Sequence, residues 1–193
     1  MKKSSQKILL IAGPSGVGKS TLIKFLVEKY PQFKFPVSAT TREMREGEAE
    51  GESYYFFTEA HFKEEIDNNS FLEWEVYADH MYGSLKSEYE RYLKGDDVFL
   101  VADVEVLGAM NLKNYFGDQL CSLFIRPESV PALVARLQNR GTDSKEEIEK
   151  RKNRFEKELA YESRFDEVLI NKTGQLEQAQ MDLVTIIQKH FNV

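Results

Sequence analysis

The chain has 193 residues, 41% apolar and 30% charged, with a net charge of −6. This composition suits one folded domain with a buried core and excludes a disordered chain, while the acidic balance argues against a nucleic-acid surface, which is usually basic. No apolar stretch approaches a membrane span and MKKSSQK leads into the first strand without a signal-peptide core, so a soluble cytoplasmic protein is expected, with neither membrane nor nucleic acid as partner.

In chain order, the apolar run Ile8 to Ala12 predicts a strand that stops at a glycine-rich turn and hands over to a helix from about Ser20 to Lys29. Gly13, Gly18, Lys19 and Ser20 fit G-x-x-x-x-G-K-[ST], a loop whose backbone N–H groups wrap a polyphosphate. Gly13, Pro14, Ser15, Gly16, Val17, Gly18, Lys19, Ser20 and Thr21 are therefore the expected ATP-binding stretch. Lys19 would reach the β- and γ-phosphates and Ser20 would hold Mg²⁺, with the helix dipole aimed at the anion.

Phe33, Phe35 and Val37 alternate as a second sheet strand should, and a polar, Gly-punctuated loop then leads to an aromatic strand from Tyr54 to Phe57. Thr58 before Glu59, with Phe62 and Ile66 in period, predicts a capped helix ending at Asn68-Asn69. FLEWEVY, residues 71–77, alternates as a short strand; Tyr82-Gly83-Ser84 follows a turn, and Glu88 to Leu93 is helical. Asp97 to Val104 is a nearly continuous apolar run, the mark of a central parallel strand, and Asp103 and Glu105 stand at its end. A helix from about Leu107 to Phe116 and a strand from Cys121 to Ile125 follow.

Further on, Pro127 and Pro131 bracket the start of a helix from Val130 to Gln138, and Thr142-Asp143-Ser144 caps a long charged helix. Phe165 to Asn171, with Val168, Leu169 and Ile170 as its core, is the last strand, and Leu176 to Phe191 the closing amphipathic helix. Strands alternating with helices predict an α/β fold with a parallel central sheet, into which residues 38–94 are inserted. Cys121, the lone cysteine, lies in an apolar run and reads as a buried thiol; His61, His80 and His190 lack metal-ligand spacing and read as surface or packing residues.

Arg42 and Arg45 lie three apart in SATTREMREGE and, with Tyr54 and Tyr82, could enclose one phosphate, since guanidinium forks pair with phosphate oxygens. On charge pattern alone, two arginines near four glutamates more often mark a solvated loop. GPSGVGKS, SATTREMREGE, GESYYF, FLEW, MYGS, RGTDS and LIN occur in an order and spacing that covers almost the whole chain. On these motifs the sequence resembles the guanylate kinases, P-loop enzymes that phosphorylate GMP, and dGMP, within purine nucleotide metabolism and GMP recycling.

The resemblance implies a three-layer P-loop fold made of a core (residues 1–37, 95–129 and 158–193), a small mixed α/β GMP-binding insertion (38–94) and a helical lid (130–157). It implies that Arg42, Arg45, Tyr54 and Tyr82 hold the GMP phosphate, that Ser38, Glu73, Gly83 and Ser84 face the guanine, and that Asp103 stands near Mg²⁺ and its waters. Arg136, Arg140 and Arg151 match the lid arginines that would act with Lys19, Arg42 and Asp103 in catalysis, Arg136 and Arg140 also on the ATP side. Asn171 falls in the adenine-pocket region. Glu105 occupies a GMP-contacting position where the family usually has aspartate, and Leu107 one where glutamine is common.

Chemistry is consistent with that transfer: guanine presents adjacent N1–H and N2–H donors beside the O6 acceptor, which a carboxylate and a hydroxyl can read. The expected reaction is in-line transfer of the γ-phosphoryl group from ATP to GMP. The attacking oxygen already belongs to a phosphate, so no general base is needed. ATP and GMP are the expected partners, with Mg²⁺ as cofactor and room for a homodimer. Two rivals stand beside this reading: a P-loop kinase with another acceptor, and a non-catalytic guanylate-kinase-like module that binds proteins.

Overall fold

Strand β1, Ile8–Ala12, is buried along its whole length because it runs between two parallel neighbours, β7 (Phe99–Asp103) and β8 (Leu120–Arg126). The structure is a computed structural model that describes residues 6–77, 79–94, 98–140 and 145–193, with the backbone alone at 77, 140 and 145. β2 (Phe33–Lys34) and β9 (Glu167–Ile170) complete a five-stranded parallel sheet in the order β2-β7-β1-β8-β9.

Alternation along these strands builds two cores. Leu9, Ile11, Val101, Leu123 and Ile125 face α1 (Lys19–Lys29) and α7 (Leu176–His190), which contribute Leu22, Leu26, Leu183 and Ile187. Ile8, Leu10, Leu100 and Phe124 face α3 (Lys86–Leu93) and α4 (Val106–Phe116), through Tyr89, Ala109, Leu112 and Phe116. Each such fully buried side chain stabilises the fold by about 1.5–3 kcal/mol relative to exposure, which makes this three-layer stack the rigid base of the molecule. Cys121 lies in the first of these cores and its burial pushes the thiol up to about 12, so it is an inert packing group.

A second sheet, order β4-β3-β6-β5, is made by β3 (Ala39–Thr40), β4 (Tyr55–Phe56), β5 (Phe71–Tyr77) and β6 (His80–Leu85). It closes over α2 (Glu59–Asp67) through Phe62, Phe71 and Leu85, with the Phe62 and Phe71 rings stacked at 4.5 Å. Thr58 caps α2 as predicted, its side chain accepting from the His61 N–H at 3.2 Å, and the His61 ring stacks on Phe57. Glu88, buried on α3, ties this sheet to the chain entering it by accepting from the Val37 N–H (3.2 Å) and the Tyr55 hydroxyl (2.9 Å). α5 (Val130–Arg140) and α6 (Lys145–Leu159) pack on each other through Leu133, Leu137, Ile148 and Phe155.

Several expectations needed correction. The strand at Phe33 ends after Lys34: Pro36 has no N–H for a ladder, the Val37 N–H is taken by Glu88, and Phe35 is 45% exposed. Residues 80–85 are a full strand, which Gly83 and the mixed polarity of HMYGSL had hidden. β9 is an edge strand, so of the expected core Val168-Leu169-Ile170 only Leu169 is buried. The expected strand start at Asp97 and the cap at Thr142-Asp143-Ser144 fall outside the described residues. Among the described residues no helix is long and apolar enough to cross a membrane.

Candidate active site

The loop after β1 takes a positive-φ backbone at Gly13, Gly16 and Gly18, and at the first and last of these the space is closed as well. Gly13 has φ +144°, and a Cβ there would come within 2.1 Å of the Ile125 carbonyl oxygen. Gly18, left-handed at φ +98°, is the N-cap of α1, and a Cβ there would meet the Asn171 side-chain nitrogen at 2.6 Å. Lys19 Nζ donates to the Gly13 carbonyl at 2.7 Å and stands 3.8 Å from Asp103 Oδ1, at the C-terminal end of β7. Desolvation by the cleft walls lifts the Asp103 carboxyl above its usual range; Lys19 opposes the shift and Glu105 adds to it.

A cleft of about 660 Å³ opens beside this loop. It is lined by Pro14, Ser15, Gly16, Gly18, Lys19, Ser20 and Thr21 of the loop and α1, by Ser38, Arg42, Arg45, Tyr54, Glu73, Tyr82, Gly83 and Ser84 of the second sheet and its loops, and by Asp103 and Glu105. Every residue expected on the GMP side therefore lines one space with the exposed part of the P-loop. Gly13 and Val17 lie beneath the loop surface, buried, and so does Asn171, whose Nδ2 donates to the Val17 carbonyl at 2.8 Å. Arg136 joins it there, donating to the Asn171 carbonyl (2.7 Å) and to the Val17 carbonyl (3.4 Å), and pairing with Glu128. In this arrangement both residues brace the P-loop.

At the far wall the antiparallel register sets Glu73 opposite Ser84 and Glu75 opposite Tyr82. Ser84 Oγ donates to Glu73 Oε1 at 2.5 Å. Burial raises the Glu73 carboxyl; the Ser84 bond works against it and the neighbouring Glu75 and Glu105 charges work with it. Arg42 is nearly buried, its guanidinium donating to Glu48 Oε1 (2.7 Å) and the Glu43 carbonyl (2.6 Å) while lying 5.6 Å from the Tyr54 ring. Glu48 also accepts from the Arg45 N–H at 2.8 Å, and these bonds, led by that from Arg42, hold its carboxyl below the usual range.

Helix α6 also reaches this cleft: Arg151 bonds the Ser15 hydroxyl and Arg154, one turn further, bonds Glu105. The side chain of Arg140 lies outside the described residues. Sequence reasoning missed Glu48, Glu75 and Arg154. Glu48 and Arg154 had read as members of ordinary solvated charge runs, and only the spacing of Glu48 three residues after Arg45 carried a hint of a turn.

For a metal, the site offers the exposed Ser20 hydroxyl and the Asp103 carboxylate. Among the described residues no group of three or more His, Cys, Asp or Glu side chains could hold an ion. Two hard oxygens beside an anion-binding loop fit Mg²⁺, which keeps its waters and takes further oxygens from phosphate.

Known proteins resemble this chain over nearly its whole length. The family model described as guanylate kinase matches residues 5–190. The curated guanylate kinase of Bacteroides thetaiotaomicron is 39% identical over 194 residues, covering 100% of this chain and 93% of that protein. That of Porphyromonas gingivalis is 42% identical over 185 residues, covering 95% and 93%. A crystal structure of guanylate kinase from Anaplasma phagocytophilum, 23% identical, shares the fold with a TM-score of 0.69 over 99% of this chain and 89% of that one. The chain belongs to the guanylate kinase family.

Proposed function

We propose that this guanylate kinase carries out its reaction, ATP and GMP to ADP and GDP, with the two nucleotides at opposite ends of a common cleft. The observation that carries the reading is that one space joins Lys19 and Ser20 to the Ser84–Glu73 pair and Arg42. ATP lies on the P-loop, whose N–H groups, Lys19 and helix dipole meet its phosphates. GMP lies against β5 and β6: Arg42, Arg45, Tyr54 and Tyr82 take its phosphate, Glu73 accepts from the guanine donors, and Ser38, Gly83 and Ser84 complete the base wall.

Phosphoryl transfer asks the protein for alignment and charge stabilisation. Lys19, Arg42 and the lid arginines Arg136, Arg140 and Arg151 supply positive charge around the transferring group. Arg136 and Asn171 hold the P-loop in shape through Val17. Mg²⁺, held by Ser20 and through water by Asp103, would neutralise phosphate charge as the group moves. In this reading residues 38–94 and the lid, 130–157, close on the core when both nucleotides bind. The protein works in the cytoplasm with ATP and GMP as its partners, and its tolerance extends to dGMP; a homodimer is compatible with this scheme.

An acceptor screen tests the reading: with ATP and Mg²⁺, ADP release should be far faster with GMP than with AMP, CMP or UMP. Equal rates with AMP would overturn the assignment of the base wall.

A further inference from the structure

Glu105 stands at the N-cap position of α4, yet its carboxylate accepts no bond from that helix's N–H groups. It bonds instead to Arg154, which reaches it from α6. Arg154 is itself held from its own helix, since its Nε donates to Glu158 Oε1 at 2.9 Å. Glu158 is buried, and its Oε2 has no hydrogen-bond partner among the described residues, which leaves the bond from Arg154 to hold that carboxylate through Oε1. A single guanidinium thus bridges a buried carboxylate of the lid helix and a carboxylate of the cleft.

The surroundings give this bridge a purpose. Glu73 and Glu75 on β5, Asp103 at the end of β7 and Glu105 just beyond it crowd one stretch of the cleft, where like charges repel. Arg154 is the cation that approaches Glu105 from the lid side, while Lys19 approaches Asp103 from the P-loop. Arg151 and Arg154 are three residues apart on α6 and so share a face, which sends one to Ser15 of the ATP loop and the other to Glu105.

We infer that Arg154 is a positioning residue for GMP: gripped by Glu158, it aims the Glu105 carboxylate and thereby couples the lid helix to the acceptor end of the cleft. The inference rests on the reading that Glu105 contacts GMP. The bridge matters because glutamate has one more rotatable bond than aspartate, and the ion pair removes that freedom. Arginine suits the task since its fork serves two carboxylates at once, which the single ammonium of lysine cannot do in the same geometry. Arg154 is exposed and Glu105 partly so, and an ion pair that open to water adds little by itself to global stability.

The test is a double-mutant cycle of Arg154→Gln and Glu105→Gln on the full-length enzyme, with KM for GMP and for ATP measured separately. Arg154→Gln should raise the GMP KM about tenfold, the scale of losing one charge-assisted hydrogen bond, and move the ATP KM less than about twofold. In the Glu105→Gln background the same change should have no further effect on the GMP KM, because Arg154 acts through Glu105. Arg154→Lys, which keeps a charge beside buried Glu158 and guards against a variant that fails to fold, should fall between wild type and Gln. Additive effects, or an ATP KM that rises as much as the GMP KM, would overturn the inference and make Arg154 a general lid residue. A GMP KM untouched by Glu105→Gln would overturn the underlying reading of Glu105, whatever Arg154→Gln does.

Discussion

Ser84 donates a 2.5 Å hydrogen bond to Glu73 across the β5–β6 pair, so the two side chains assigned to guanine form a preassembled unit. The ladder shifts register between Phe71 and Glu73, which lets Phe71 pack on Phe62 while Glu73 and Glu75 line the cleft. The price is a carboxylate drawn out of water, and the raised Glu73 carboxyl records it. Guanine's adjacent N–H donors can offset that desolvation, whereas adenine's edge cannot.

A first prediction follows from the position of Gly108. A Cβ there would lie 3.3 Å from both Cγ and Oε2 of Glu73, which Ser84 already pins. Gly108→Ala should therefore push the Glu73 carboxylate aside and raise the GMP KM severalfold with the ATP KM unchanged. Stability should hold or rise by up to about 1 kcal/mol, since alanine loses less backbone entropy in a helix than glycine. Steady-state kinetics and thermal melts on one preparation check both halves; an unchanged GMP KM would contradict the packing argument.

Glu48 supplies a second. It anchors the Arg42 guanidinium and the Arg45 backbone together, so Glu48→Ala should loosen the phosphate grip and raise the GMP KM severalfold. Glu48→Gln keeps the shape and an acceptor oxygen and should recover most of the loss. If Ala and Gln behave alike, the carboxylate does not orient Arg42 through these bonds.

A third concerns acid stability and lies away from the cleft. Burial pushes the Asp166 carboxyl up, but bonds from Lys113 Nζ (2.7 Å), Ser122 Oγ (2.6 Å) and the Ser122 N–H (2.9 Å) outweigh it and hold the group below its ordinary 3.8. A depressed value means the unfolded chain takes up its proton first as pH falls. The stabilisation is therefore complete above about pH 4 and is lost as pH drops through the lower folded value. Asp166→Asn should lower the urea midpoint at pH 7 and flatten its fall below pH 4; parallel curves for the two proteins would contradict this.

Much of this molecule was legible because its signals are local. Gly13 and Gly18 announce the P-loop through their backbone requirements and Lys19 through its charge beside them, and Ile8–Ala12 and the stretch from Phe99 to Ala102 are apolar throughout because neighbouring strands and helices cover them. The errors came where burial depends on position in the sheet: Val168 and Ile170 look like core residues, but an edge strand leaves them partly exposed. Arg154 was illegible for the opposite reason. In a helix dense with Lys, Arg and Glu it is indistinguishable from its solvated neighbours until the fold brings Glu105 to it.

The account turns on Glu73 as the reader of guanine, and the most direct measurement is the ratio of kcat/KM for GMP to that for AMP in wild type and in Glu73→Gln, at saturating ATP and Mg²⁺. The substitution keeps size but sets an amide donor among guanine's donors, at a cost of about 2–4 kcal/mol in GMP binding, roughly 30- to 1,000-fold. The ratio should fall by that factor, through loss on GMP rather than gain on AMP, with the ATP KM unmoved. A ratio that survives the substitution would contradict the assignment and leave guanine recognition to another part of the cleft.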